Sequence, residues 1–407
     1  MKKLLALILA LATLFCFAAC GTEAPVEEVA ENTDAEGIKV GFIFLHDENS
    51  TYDKNFMVAA EAVQETLGLT NEQVLFRTQI PEGDECYKTA KELAEEGCDI
   101  IFANSFGHEP YMIKAAKEYP DVQFCHSTGT RAHTEGLDNF HNAFAHIYQG
   151  RFLAGVAAGL KLNAMIEAGE ITAEEAKMGY VGAFTYEEVV SGYTSFYLGA
   201  KSVCPSVTME VQFTGSWYDE TEEKEAANKL IDNKCVLISQ HADSMGAPTA
   251  CENAGVPNVS YNGSTVSACP NTFIVSSRID WTPYYKFAIE AVMNNETIPA
   301  DWCGGIAEGS VVLTEVNEAA AAEGTVEKLE EVKAALADGT VKVFDIATFT
   351  VGGEAVAADF QADVDTDENY TPDTAVIIDG AFEESMFRSA PYFGLRIDGI
   401  TLLNEEY

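Results

Sequence analysis

Polar and aromatic side chains collect directly after the apolar runs of this sequence, at residues 47–52, 104–108, 184–187, 217–219, 240–244, 262–264 and 278–281. The first group places Asp47, Asn49, Ser50, Thr51 and Tyr52 in one short connection. An ordinary turn needs only Gly, Asn or Asp. The rings Tyr52, Phe106, Tyr193, Trp217 and Trp281 lie in or just beyond such connections, interleaved with Asp47, Asp243 and Asp280. One ring in a loop is packing, but several in converging loops suit a flat ligand held by stacking and by carboxylate acceptors. Thr51, Ser105 and Asn262 add short hydrogen-bonding groups. His241 and Asp243 read as a hydrogen-bonding pair in a cleft or as a structural turn; an acid–base role would need a Ser or Cys partner that the sequence does not single out.

Other chemistries leave little trace. There is no GxGxxG, HExxH or GxSxG, and Gly199, Ala200, Lys201, Ser202 lacks the Gly before Lys that a phosphate loop requires. Asp363, Asp365 and Asp367 repeat at calcium-loop spacing, yet Glu368 stands where Gly is needed and Thr374 where Glu is needed, so the stretch reads as a solvated acidic loop. Of ten cysteines, Cys16 and Cys20 lie in the leader, and the other eight show no CxxC spacing. No metal site and no cofactor are expected, and the cysteines are buried apolar residues or disulfide partners.

The elements that must position these loops alternate regularly. Strand-like runs at 39–45, 74–78, 98–103 and 122–125 alternate with helix-like runs at 56–67, 87–96 and 111–119. A long apolar helix from about residue 147 opens a second set, with strands at 177–184, 207–213, 235–239 and 258–261 and helices at 187–203, 220–232 and 247–254. This alternation predicts an α/β chain with two mostly parallel sheets, each covered on both faces. Ligands of such sheets bind beyond the carboxyl ends of the strands, where the polar groups fall. The expected division is a first lobe at 38–146, a second at 147–277, and a return to the first lobe with a C-terminal extension over 278–407, including a helix at 327–337 and a strand at 341–350.

At the N-terminus, Lys2 and Lys3 precede an apolar run, and Phe17, Ala18, Ala19, Cys20 resembles a bacterial lipobox. Residues 1–20 therefore read as a lipoprotein signal with Cys20 as the lipidation site, and 21–37 as a disordered tether. A formal net charge of −41 argues against a nucleic-acid partner, since no basic cluster could neutralise phosphates.

The lipobox, the tether and the paired β-α sets resemble the basic membrane protein family of ABC-transporter substrate-binding lipoproteins. Segments carrying the likeness include GFIFLHDENSTYDKNF, DIIFANSFGHEP, IYQGRFLAGVAAG, GSWYDETEEKEAANKLID, VLISQHADSMGAP and SSRIDWTPYYKFAIEAV. The resemblance implies a type I periplasmic-binding-protein fold, two Rossmann-like lobes joined by crossover strands. It also implies an extracytoplasmic, lipid-anchored protein that captures a purine base or nucleoside and hands it to an ABC permease and ATPase complex, with no enzymatic step. A sensor using the same cleft, or a secreted enzyme using His241 and Asp243, are the alternatives. By this resemblance Asp47 would bind the base, with Tyr193 and Tyr52 stacking on it. Asn262 and Asp280 would address the ligand's polar end. The chain departs from the family at Ser50, where a stacking ring is usual, at Asn262 in place of Asp, and at Asp280 in place of Lys.

Overall fold

The computed structural model describes residues 37–366 and 369–405 of the 407. The leader, Cys20, nearly all of the tether and Asp367 lie outside the described residues. The first lobe runs β1 (Val40–Ile43), α1 (Thr51–Thr66), β2 (Val74–Arg77), α2 (Asp84–Glu95), β3 (Ile100–Ala103), α3 (Glu109–Glu118), β4 (Gln123–Ser127), the single turn α4 (Ala132–Glu135) and β5 (Phe140–Ala145). The second runs α5 (Ile147–Glu167), β6 (Lys177–Gly182), α6 (Glu187–Val203), β7 (Thr208–Phe213), α7 (Glu220–Asp232), β8 (Leu237–His241), α8 (Gly246–Ala254), β9 (Asn258–Tyr261) and β10 (Phe273–Ile279). Strands β1, β3, β5, β8 and β9 are buried along their whole length, as helices on both faces require.

The chain then crosses back. Helix α9 (Thr282–Met293) packs on α1, and β11 (Asp301–Gly304) joins the edge of the first sheet beside β5. It crosses once more to β12 (Val311–Leu313), antiparallel to β10, and continues into α10 (Thr325–Ala337), which packs on α5. The first sheet has the order β11-β5-β4-β3-β1-β2, and its central strands repeat in the second as β10-β9-β8-β6-β7. In both, the order reverses between the first and third strands of the set, which opens a crevice at their carboxyl ends. The crossovers are bonded to one another: the His146 amide donates to Gly304 O at 2.8 Å, and the Asp280 amide to Ser310 O at 2.8 Å.

The return to the first lobe is made by α9 and β11. The extension beyond them buries Phe344, Phe349, Phe382 and Phe393 in the core of the second lobe. Phe344 stacks on Phe393 at 4.3 Å. Residues 341–350 are not the expected strand. Asp345 accepts from the Ala347 amide through its side chain and from the Thr348 amide through its carbonyl, and this local turn diverts the backbone from a ladder. Three two-residue hairpins follow: β13 (Thr350–Val351) with β14 (Glu354–Ala355), β15 (Gln361–Ala362) with β16 (Thr374–Ala375), and β17 (Ile377–Ile378) with β18 (Ala381–Phe382). Finally β19 (Ile400–Leu402) adds a parallel edge strand beside β7.

The core of the second lobe rests on the close approach of α5 to α6. A Cβ added at Gly155 or Gly199 would fall inside van der Waals contact of the Phe196 or Phe152 carbonyl oxygen, respectively. In an exposed helix Gly→Ala is stabilising by about 0.5–1 kcal/mol. Here overpacking outweighs that gain, so Gly199→Ala should lower stability by about 1–3 kcal/mol in a denaturant titration. A higher unfolding midpoint would contradict the tight crossing.

Candidate ligand-binding cleft

The connection after β1 is held by a buried carboxylate. Ser50 caps α1, its Oγ accepting from the Asp53 amide at 3.2 Å, which explains a small hydroxyl where the resemblance led us to expect a ring. Asp53, fully buried, accepts from the His46 amide at 3.1 Å, from His46 Nδ1 at 3.2 Å and from Asn104 Nδ2 at 2.7 Å. Asn104 in turn accepts from the Leu45 amide at 3.1 Å through its side chain, and from the Tyr52 hydroxyl at 2.6 Å through its carbonyl. The loops after β1 and β3 are thus one hydrogen-bonded unit that fixes the Tyr52 ring.

The second lobe meets this unit at Asp243 and Asn262. Thr51 donates to the Asp243 carbonyl from its amide at 3.3 Å and from its hydroxyl at 3.1 Å, and Asn55 Nδ2 donates to the Asn262 carbonyl at 2.7 Å. Within the second lobe, Asn262 Nδ2 donates to Asp243 Oδ1 at 2.9 Å. Asn262 reaches that position with φ +65°, a left-handed conformation that Asn tolerates better than most residues. Further out, Phe106 stacks on Tyr186 of the second lobe at 5.0 Å, and Tyr186 on Phe184 at 5.1 Å.

Between these contacts lies a narrow cavity lined by Leu45, His46, Tyr52, Ser105, Phe106, Thr128, Glu188, Trp217, His241, Asp243, Tyr261 and Asn262. None of these residues is Lys or Arg. Burial pushes Asp243 well above the usual carboxylate range, and the neighbouring Glu223 and Asp53 charges add to it. A ligand that donates hydrogen bonds or carries positive charge relieves that cost. His241 is held below its ordinary pKa by burial; its Nδ1 lies 3.3 Å from the Tyr180 hydroxyl and its Nε2 3.4 Å from Glu188 Oε1. Behind this floor the buried Arg151 guanidinium donates to Ser239 Oγ at 2.7 Å, Ser260 O at 3.1 Å and Tyr180 Oη at 3.2 Å, tying β6, β8 and β9 together.

Of the residues singled out from sequence, Tyr52, Ser105, Phe106, Trp217, His241, Asp243 and Asn262 line the cavity. Thr51 is a contact between the lobes. Four others stand elsewhere. Asp47 lies in a neighbouring open depression, its carboxylate accepting from Asn49 Nδ2 and Gln79 Nε2, both at 2.8 Å. Tyr193 packs in the core of the second lobe between Tyr180 and Phe213. Trp281 stacks on Phe56 at 4.4 Å in the core of the first lobe. Asp280 accepts from the Thr282 amide at 3.0 Å and lies 3.7 Å from Arg278. His241 and Asp243 do not bond to each other, since the carboxylate beside His241 is Glu188. Sequence reasoning missed His46, Thr128, Glu188 and Tyr261. The strand-end rule applied equally to Thr128 after β4 and to Tyr261 closing β9, and Glu188 sits in the first turn of α6 at a strand-end loop.

Glu223 supports the Asp243 turn from behind, accepting from the Ser244 amide at 3.2 Å, and burial pushes it up to about 7. A carboxyl raised in the folded state contributes stability below its ordinary value near 4.5 and loses it as pH rises through about 7. The melting temperature of Glu223→Gln relative to the unsubstituted protein should therefore rise between about pH 5 and pH 8, by the equivalent of about 1–3 kcal/mol. A difference that stays flat would contradict the raised value.

The family model described as "ABC transporter substrate-binding protein PnrA-like" matches residues 42–343. A purine-binding protein of Brucella abortus is 32% identical over 68% of this chain and 75% of its own length. A Haloferax volcanii protein named provisionally as an ABC transporter glucose-binding protein is 33% identical over 55% of this chain and 54% of its own. Among solved structures, an ABC transporter solute-binding protein of Conexibacter woesei superposes with a TM-score of 0.61 at 20% identity, over 75% of this chain and 98% of that one. One from Aeropyrum pernix gives 0.63 at 17% identity, over 75% and 92%. The fold is that of the periplasmic binding proteins, and the chain belongs to the PnrA-like family of ABC transporter substrate-binding proteins.

Proposed function

We propose that this chain captures a purine base or nucleoside between its lobes and delivers it to the permease and ATPase of an ABC importer, held at the outer face of the cell membrane by lipid on Cys20. The observation that carries the ligand reading is the cavity itself. It combines Tyr52, Phe106, Trp217 and Tyr261 with Glu188, Asp243, His241 and Asn262, and lacks a cationic side chain. Purines offer a flat ring for stacking and N–H donors for carboxylates, and they carry no negative charge that the two acids would repel. The purine-binding relative supports the same class. Among the described residues no helix is long and apolar enough to cross a membrane. Lipid on Cys20 is the attachment this reading uses. His241 and Asp243 serve here as hydrogen-bonding groups, and no covalent step is involved.

Titration calorimetry of the detergent-solubilised full chain against adenine, guanine, hypoxanthine, their nucleosides and glucose tests the reading. At least one purine compound should bind with a dissociation constant of about micromolar or tighter. Asp243→Asn, which replaces one acceptor oxygen facing the ligand by an NH2 donor, should weaken it by about tenfold or more. Binding of glucose with no heat from any purine would overturn the purine assignment.

A further inference from the structure

Four polar side chains stand in line behind the wall of the cavity. Arg151 on α5 donates from Nη2 to Tyr180 Oη on β6 at 3.2 Å. Tyr180 Oη lies 3.3 Å from His241 Nδ1 at the end of β8, and His241 Nε2 lies 3.4 Å from Glu188 Oε1 in the first turn of α6. Arg151, Tyr180 and His241 are each at most 3% exposed, so water does not compete for these bonds. Of the four, His241 and Glu188 reach the cavity. The backbone makes room for the line at Gly192, which follows Glu188 by one turn of α6: a Cβ there would lie 2.5 Å from His241 Nδ1. The imidazole therefore rests directly on the helix that carries Glu188, with the Tyr261 ring 4.5 Å from it.

The proton positions along this line follow from what each group can donate. A guanidinium only donates, so the Tyr180 oxygen accepts from Arg151 and its own proton needs an acceptor. Burial raises Tyr180 above its ordinary value, so the hydroxyl keeps that proton. The acceptor it meets is His241 Nδ1. Burial holds His241 below its ordinary value against the pull of Glu188, so the ring carries a single proton at neutral pH. With Nδ1 accepting, that proton sits on Nε2 and points at the Glu188 carboxylate. The reverse tautomer would set the Nε2 lone pair against Glu188 Oε1 and leave the Tyr180 proton without its acceptor, and both are costly in a buried site.

We propose that Arg151 and Tyr180 are positioning residues for ligand binding: they lock His241 as its Nε2–H tautomer, which holds Glu188 Oε1 and turns the second oxygen of that carboxylate to the ligand. His241 then offers the ligand no lone pair, and selection of N–H donors falls to Glu188 and Asp243. The calorimetric arm of the test rests on the purine reading above, and the tautomer arm does not. 15N NMR of the full chain labelled at histidine reads the tautomer without ligand, His241 being identified among the seven histidines by its loss in His241→Gln. The expected state is a protonated Nε2 and an unprotonated Nδ1, whose resonance moves downfield in Tyr180→Phe as it loses its donor. That variant leaves Arg151 its bonds to Ser239, Ser260 and Ser277. Calorimetry with adenine, guanine and hypoxanthine then closes a double-mutant cycle. Tyr180→Phe should weaken binding about three- to tenfold in the unsubstituted protein and by less than about twofold in Glu188→Ala, because Tyr180 acts through Glu188; a merely structural role would weaken both alike. A protonated Nδ1 in the unsubstituted protein, equal weakening in the two backgrounds, or none in either would each overturn the positioning role and leave the purine reading standing. If no purine binds the unsubstituted protein, the purine reading fails. In that case, or should a variant not fold or not bind, the tautomer of the unsubstituted protein decides the positioning role.

Discussion

The site depends on Asp243 holding two positions at once. Its backbone carbonyl accepts Thr51 from the opposite lobe, while its carboxyl faces the cavity with one oxygen bound to Asn262. Asn262 repeats the arrangement, with its carbonyl accepting Asn55 from the first lobe and its amide fixing Asp243. The groups that would sense a ligand are therefore the groups that join the lobes. Any shift of Asp243 to meet a donor is transmitted directly to the contact that sets the angle between the lobes.

The first lobe supplies a rigid counterpart. Asp53 gathers the loops after β1 and β3 into one network, so that Tyr52 and Phe106 stand on a fixed platform. In the second lobe Arg151 does the same for the strands beneath His241 and Tyr261. Both charges are buried and held by several hydrogen bonds, through both oxygens of Asp53 and through Nη1 and Nη2 of Arg151, which offset much of the desolvation cost. Walls pre-organised on each side reduce the ordering cost that a ligand in the cavity would have to meet.

Much of the architecture was legible because alternation of apolar strands with helical stretches is a local property. It located β1 to β4 of the first sheet and β6 to β10 of the second, but not β5, β11, β12 or β19, and through the strand-end rule it located the loops that contribute Ser105, Phe106, Trp217, His241, Asp243 and Asn262. The residues that stand away from the cavity differ in side-chain direction and not in position along the chain. Asp47 and Asp53 both stand near the start of α1, but the Ser50 cap turns Asp53 inward and leaves Asp47 to bond Asn49 and Gln79 outside. Tyr193 and Trp281 were placed correctly along the chain, yet their side chains point into cores, a fact fixed by partners distant in sequence such as Phe213 and Phe56. The C-terminal extension was least legible, because its hairpins are two residues long and its order comes from Phe344, Phe382 and Phe393 meeting in the second lobe.

The central claim is that a donor-rich ring is held between the lobes against Asp243. A crystal structure of the protein with a bound purine nucleoside tests it most directly. The account predicts the base between the lobes, in contact with Tyr52, Phe106 or Trp217, with an N–H donor about 3 Å from Asp243 or Glu188. A base seated outside the inter-lobe cavity, or one within it that leaves both carboxyl groups without a ligand donor, would contradict the account.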